Sequence, residues 1–224
     1  MGDRPTRLID LSHVITEGMV TYKGLPGPHI CDFISREQSA ANYDDGSTFQ
    51  IGRIEMVANT GTYVDVPSHR FADGKDLSEV GVEAFANLPG LVVRQPFETG
   101  LAVDASAFDG LDVRGKAVLI ATGWDRHWGT DLYYHDHSFL TEIAAQRLVE
   151  DGVALVGIDS HNIDDTRVRA RPVHTALLGA GIPICEHMTG LGSLPDGDFR
   201  FAAVPPKVKG MGTFPVRAYA LIDA

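Results

Sequence analysis

Leu140-Thr-Glu-Ile-Ala-Ala-Gln-Arg-Leu-Val-Glu-Asp-Gly-Val-Ala-Leu-Val-Gly-Ile-Asp159 runs a helix pattern straight into a strand pattern, and this junction decides the fold class. Thr141 is a cap-type residue, apolar side chains follow at helical spacing as far as Asp151, and Gly152 stands just past the end. Ala154–Ile158 is then aliphatic or small at every position, the pattern of a strand covered on both faces. A helix feeding such a strand requires stacked layers, so a mixed α/β architecture is expected. Leu91–Val93 and Ala117–Ala121 read as further buried strands, and Leu8–Ser12 as a short strand before the turn formers Gly24–Pro28. Ile51–Val66 alternates over a length that suits one or two strands ending near Pro67. Val173–Gly179 suits a second helix after Pro172, Ile182–Glu186 a strand, and Ala218–Ile222 the last strand. No repeat, charge block or linker interrupts the chain, so residues 1–224 are expected to form a single domain with a mixed sheet core and flanking helices.

Composition narrows the function classes. With 44% hydrophobic and 22% charged residues, the 224-residue chain can build a core. Thirty acidic against 19 basic residues, net −11, argue against nucleic acid or an anionic membrane as partner and leave a small-molecule substrate open. Two cysteines cannot supply a disulfide framework or a thiolate zinc site. Without a signal-type apolar segment or a run of about 20 apolar residues, a cytoplasmic location is expected.

Chemistry gathers in Asn59-Thr-Gly-Thr-Tyr-Val-Asp-Val-Pro-Ser-His69. Side chains alternate along a strand, so Asn59, Tyr63, Asp65 and His69 share one face and Thr60, Thr62, Val64 and Val66 the other. A carboxylate, an imidazole, a phenol and an amide thus collect together. A polar strand face turned to solvent would account for an isolated Asp and His equally well.

The stretch also resembles the His-x-Gly-Thr-His-x-Asp-x-Pro-x-His signature of the cyclase family of metal-dependent hydrolases, which includes bacterial kynurenine formamidases and isatin hydrolases. Ile9–His13, Val118–Asp125, Leu140–Ser160, His174–Glu186 and the terminal PVRAYALI are similar to other parts of that family. The resemblance implies a swivelling β/β/α fold of cyclase type, a homodimer or homotetramer, and hydrolysis of a small cyclic or formyl amide or a lactone, with arylformamidase the best single name. It makes Asp65, His174 and Glu186 metal ligands and His69 the general acid/base. Asn59 and Tyr63 stand where the signature has two histidines that bind a second ion. An amide oxygen and a protonated phenol are poor substitutes for imidazole, so one divalent ion, zinc or manganese, is expected. Tyr63 would then donate to an oxyanion and Asn59 orient the substrate. Two other readings follow from the same substitution: a small-molecule-binding protein that has lost its metal, and a single-metal isomerase or dehydratase.

Other candidates are weaker. Tyr133-Tyr-His-Asp-His137 precedes a helix and reads as a capping and surface loop, although the resemblance sets His137 near the pocket as a substrate contact. Trp124 is a candidate wall of the substrate pocket or of an interface, with core packing the equal alternative. Arg167, Arg169 and Arg171 alternate and suit either an anionic substrate group or a solvated or intersubunit stripe. Asp159-Ser-His161 lacks the Gly-x-Ser-x-Gly elbow of a serine hydrolase. Cys185 is expected to be buried and inert, and His187 to face away from Glu186 if the strand continues past it.

Overall fold

The computed structural model describes residues 6–223. In chain order its elements are β1 (Thr6–Asp10), β2 (His29–Ile34), α1 (Arg36–Ser39), β3 (Ile51–Glu55), β4 (Tyr63–Asp65), β5 (Leu88–Arg94), β6 (Ala102–Val103) and β7 (Ala117–Ala121). There follow β8 (Phe139–Leu140), α2 (Glu142–Asp151), β9 (Leu155–Ile158), α3 (Pro172–Gly179), β10 (Ile184–Glu186), β11 (Phe199–Ala202), β12 (Thr213–Pro215) and β13 (Tyr219–Asp223). Nine strands make one mixed sheet, in the order β1-β13-β11-β5-β7-β9-β10-β4-β12. β5, β7, β9 and β10 are parallel, and every other pairing in that sheet is antiparallel. Parallel neighbours need crossovers, which α2 supplies between β7 and β9 and α3 between β9 and β10.

The helix and strand of the 140–159 segment form as expected. Thr141 accepts from the Ala144 N–H at 3.2 Å, and Gly152 closes α2 at φ 77°, a left-handed conformation suited to glycine. Alternation in the central strands divides two cores. Leu119 and Leu155 face one with Val64, Cys185 and Phe201, whereas Val118, Ile120, Val156 and Ile158 face the other with Leu148 and Leu177 of the helices. The first core receives side chains from all nine strands, β1 and β12 at the two ends of the order included, so the sheet curls around it.

Ile51–Val66 divides into two strands with different fates. β3 leaves the main sheet and pairs with β2 in a hairpin whose Ile30, Phe33, Ile51 and Ile54 are exposed. β4 joins the main sheet only after Gly61, whose φ of 66° ends any continuous strand. The 133–137 loop departs from the surface reading: Tyr133 and His137 are 1% and 3% exposed, and only His135 and its neighbours reach solvent. Among the described residues no helix is long and apolar enough to cross a membrane.

Candidate active site

Strand register builds the site. β4 lies between β10 and β12, with Tyr63 opposite both Glu186 and Pro215 and Asp65 opposite both Ile184 and Thr213. Val64 and Cys185 point into the core on the other face, so Tyr63, Asp65, Glu186 and Thr213 converge. Burial pushes the Cys185 thiol up, in keeping with an inert residue. After β4 the chain makes one 3-10 turn, Pro67–His69, which returns His69 beside Asp65 with Nδ1 3.5 Å from Oδ1.

His174 comes from the first turn of α3. Asp164, in the loop before that helix, accepts from the backbone N–H groups of Val173 (2.8 Å) and His174 (3.1 Å) and from His174 Nδ1 at 2.6 Å. It caps the helix, whose N-cap residue Arg171 makes no side-chain cap, and orients the imidazole. A carboxylate only accepts, so Nδ1 carries the proton, and Nε2 stands 3.7 Å from both Asp65 Oδ2 and Glu186 Oε1. Burial opposes a charged His174, but Glu186, the Asp164 hydrogen bond and Asp65 outweigh it and raise its pKa to about 10. Burial in turn raises Glu186, against the pull of the His174 charge.

These residues fit a divalent cation. Three carboxylates around one buried imidazole are an excess of negative charge, Asp65 Oδ2 is buried without a hydrogen-bond partner, and ligand atoms of Asp65, His69 and His174 lie within 4.8 Å of one another. The sequence-derived set Asp65, His174 and Glu186 shares two members with this triad.

A second hydrogen-bond series fixes His69. The Thr213 hydroxyl donates to Asp65 Oδ1 and so accepts from His69 Nδ1 at 2.8 Å. His69 Nδ1 therefore carries a hydrogen, which makes Nε2 the basic atom of the neutral ring.

Tyr63 has a different role from the one its position in the motif suggests. Its hydroxyl donates to Glu186 Oε2 at 2.8 Å and accepts from His187 Nε2 at 3.2 Å, while Tyr133 donates to His187 Nδ1 at 2.9 Å. Burial, with Glu186 and Asp65 adding to it, drives the phenol pKa well up, and burial drives His187 well down, so both stay neutral. The single Tyr63 proton is committed to Glu186, which removes it as an oxyanion donor. His187 meets Tyr63 because β10 ends at Glu186 and His187 turns at φ 53° instead of extending the strand.

A cavity of about 440 Å³ opens over this face, lined among others by Asn59, Tyr63, His69, Asn162, His174 and Glu186. Asn59 is on the wall. Asn162, which the sequence did not single out, uses Oδ1 to accept from the Asp164 N–H at 2.9 Å and keeps its NH2 as a donor. His137 and Trp124 are not on the wall. His137 is held by Ser138 O and Thr166 Oγ1, and Trp124 donates to Tyr133 O at 3.1 Å while packing on Phe97. Both close the inner side of the 133–137 loop, which accounts for their burial and corrects their reading as substrate contacts.

The profile of the family described as "Putative cyclase" matches residues 9–165, and the chain belongs to that family. It is similar to the kynurenine formamidase of Bacillus cytotoxicus, 26% identical over 217 residues that span 94% of this chain and 95% of the relative. Isatin hydrolase A from Labrenzia aggregata shares the fold with a TM-score of 0.82 at 20% identity, over 98% of this chain and 94% of that one. A solved structure described as a potential metal-dependent hydrolase with cyclase activity gives a TM-score of 0.79 at 24% identity, covering 98% and 99% of the two chains.

Proposed function

We propose that this chain is a metal-dependent hydrolase that cleaves the amide C–N bond of a small N-acylated arylamine, formyl amides first among them. The observation that carries the reading is the convergence of Asp65, His69 and His174 with both imidazoles already oriented, His69 through Thr213 and His174 through Asp164. The names of the relatives support the same reaction class.

Asp65, His174 and Glu186 are the ligands we assign, because this set leaves the His69 Nε2 lone pair for proton transfer. One ion is favoured over two, since Asn59 and Tyr63 offer no imidazole and Tyr63 is tied to Glu186. A mixed oxygen and nitrogen donor set suits zinc or manganese, and such an ion supplies polarisation of the scissile carbonyl and a lowered pKa for water. His69 Nε2 takes the proton of the attacking water and returns it to the departing arylamine nitrogen. The Asn162 NH2 donates to the carbonyl oxygen as negative charge develops there. Tyr63 holds Glu186 in place, and Asn59 orients the substrate.

Purified protein should carry close to one divalent ion per chain and hydrolyse N-formylkynurenine, with kcat lowered about 10²- to 10⁴-fold in His69→Ala. Protein that holds its ion but cleaves neither N-formylkynurenine, isatin nor simple lactones would overturn the reading.

A further inference from the structure

The cavity has an acidic floor and a cationic rim. Glu186, buried, lies at its base with Asp65 behind it, 3.7 Å from His174 Nε2, and the more exposed Lys23, Arg70 and Arg171 also line it. Lys23 is engaged by Asp131 at 3.3 Å and His135 at 3.2 Å. Arg70 and Arg171 pair with no carboxylate among the described residues, yet both are anchored. Arg171 Nη1 donates to the carbonyls of Val168 (2.6 Å) and Ala170 (2.8 Å), while Arg70 Nε donates to Thr175 Oγ1 at 3.2 Å. Thr175 follows His174 in α3, and Arg171 immediately precedes that helix. Two guanidinium groups are thus held at the start of the helix that carries His174, with their remaining N–H groups uncommitted among the described residues.

The neighbouring arginines show what a solvated cation looks like in this chain. Arg167 closes a bond to Asp165 at 2.8 Å and covers the Phe139 ring, and Arg169 is exposed; neither lines the cavity. Only the third member of the 167–171 stripe reaches the site. In a protein with net charge −11, most anions are repelled from the surface, so two uncommitted arginines beside the reaction centre create a local reversal of sign.

We infer that Arg70 and Arg171 form an anion-recognition pair that selects substrates bearing a carboxylate. The inference rests on the hydrolase reading above and narrows its substrate class to carboxylated N-acyl arylamines, with neutral lactams such as isatin disfavoured. Guanidinium matches carboxylate with two parallel hydrogen bonds, which a lysine cannot reproduce.

The test compares 2- and 4-formamidobenzoate with formanilide, which lacks the carboxylate, on the metal-loaded enzyme. The ratio of kcat/KM for the better acid to that for formanilide should exceed about 10 and fall about 10- to 100-fold in Arg70→Ala and Arg171→Ala, the range of one charge-assisted hydrogen bond. Arg171→Lys, which retains charge without the fork, should recover only part of it. A ratio near one that the variants leave in place overturns the pair while the hydrolase reading stands, because both substrates are still cleaved. If none of the three is cleaved, calorimetry of 2- and 4-aminobenzoate against aniline decides. Tighter binding of an acid that weakens about tenfold or more in Arg70→Ala supports the pair, and no preference for the acids overturns it.

Discussion

A single hydroxyl group determines which nitrogen of His69 can accept a proton. Thr213 gives its hydrogen to Asp65, so it can only receive one from His69 Nδ1, and Nε2 becomes the basic atom. Thr213→Val keeps the shape and removes the lock; kcat should fall about 10- to 100-fold, the usual cost of losing such an orienting partner, with metal content unchanged. Elemental analysis beside steady-state kinetics checks both halves. Asp164 does the corresponding work for His174, and Asp164→Asn should weaken zinc affinity about 10- to 100-fold in a chelator-competition titration. Unchanged affinity would make Asp164 a helix cap only. Asp65 and His69 were legible because they stand four positions apart in one motif. Thr213 was not, because it lies 144 residues from His69 and reaches it only through the pairing of β12 with β4. Asp164 was hidden for a similar reason: its partner is ten residues away across an irregular loop, and neither spacing nor periodicity records that approach.

At the level of elements, the site depends on how closely backbone segments can approach. Gly212, just before β12, lies so near the 3-10 turn that a Cβ there would stand 2.4 Å from the His69 backbone nitrogen and 2.6 Å from its Cα. Backbone cannot swing aside as a flexible side chain can, so Gly212→Ala must displace His69. Gly157 in β9 is equally crowded, but against Met188 Sδ (2.6 Å) and Leu119 Cδ2 (2.8 Å) in the core. Both substitutions should cost about 1–3 kcal/mol of stability. Only Gly212→Ala should also reduce kcat per folded molecule, by about tenfold or more, as expected when a catalytic group is moved by about 1 Å. Equal specific activities for the two variants well below their melting temperatures would refute this separation. The α2–β9 junction and the central strands were legible because aliphatic runs and caps are local signals. The fate of Ile51–Val66 was not, since alternation marks a strand without naming its sheet. Tyr133 and His137 misled for the opposite reason: polar side chains usually mark surface, and here a buried hydrogen-bond series satisfies them.

For the molecule as a whole, proton and metal ion compete for one atom, His174 Nε2, and this links stability to pH. The folded pKa of His174 is raised to about 10 from an ordinary 6.5, so the stability it adds to the metal-free protein is fully present below about 6.5 and is lost as pH rises through about 10. Glu186, raised by burial, shifts stability in the same direction, because its neutral form is the one the fold favours. Metal binding changes oppositely, since uptake displaces the Nε2 proton and tightens as pH rises across that window. The metal-loaded and metal-free proteins should therefore diverge in melting temperature as pH increases. An ion at 100 times its Kd adds about 2.7 kcal/mol, or roughly 5–11 °C for a chain of this size. Thermal scans with and without chelator at pH 6 and pH 9 should show the smaller gap at pH 6. In His174→Gln, which keeps a polar side chain but cannot hold this proton, the gap should shrink and lose most of its pH dependence. A gap that is the same at both pH values, or that persists in His174→Gln, would remove His174 from the ligand set and leave His69 with Asp65 as the remaining nitrogen and oxygen donors of the cluster.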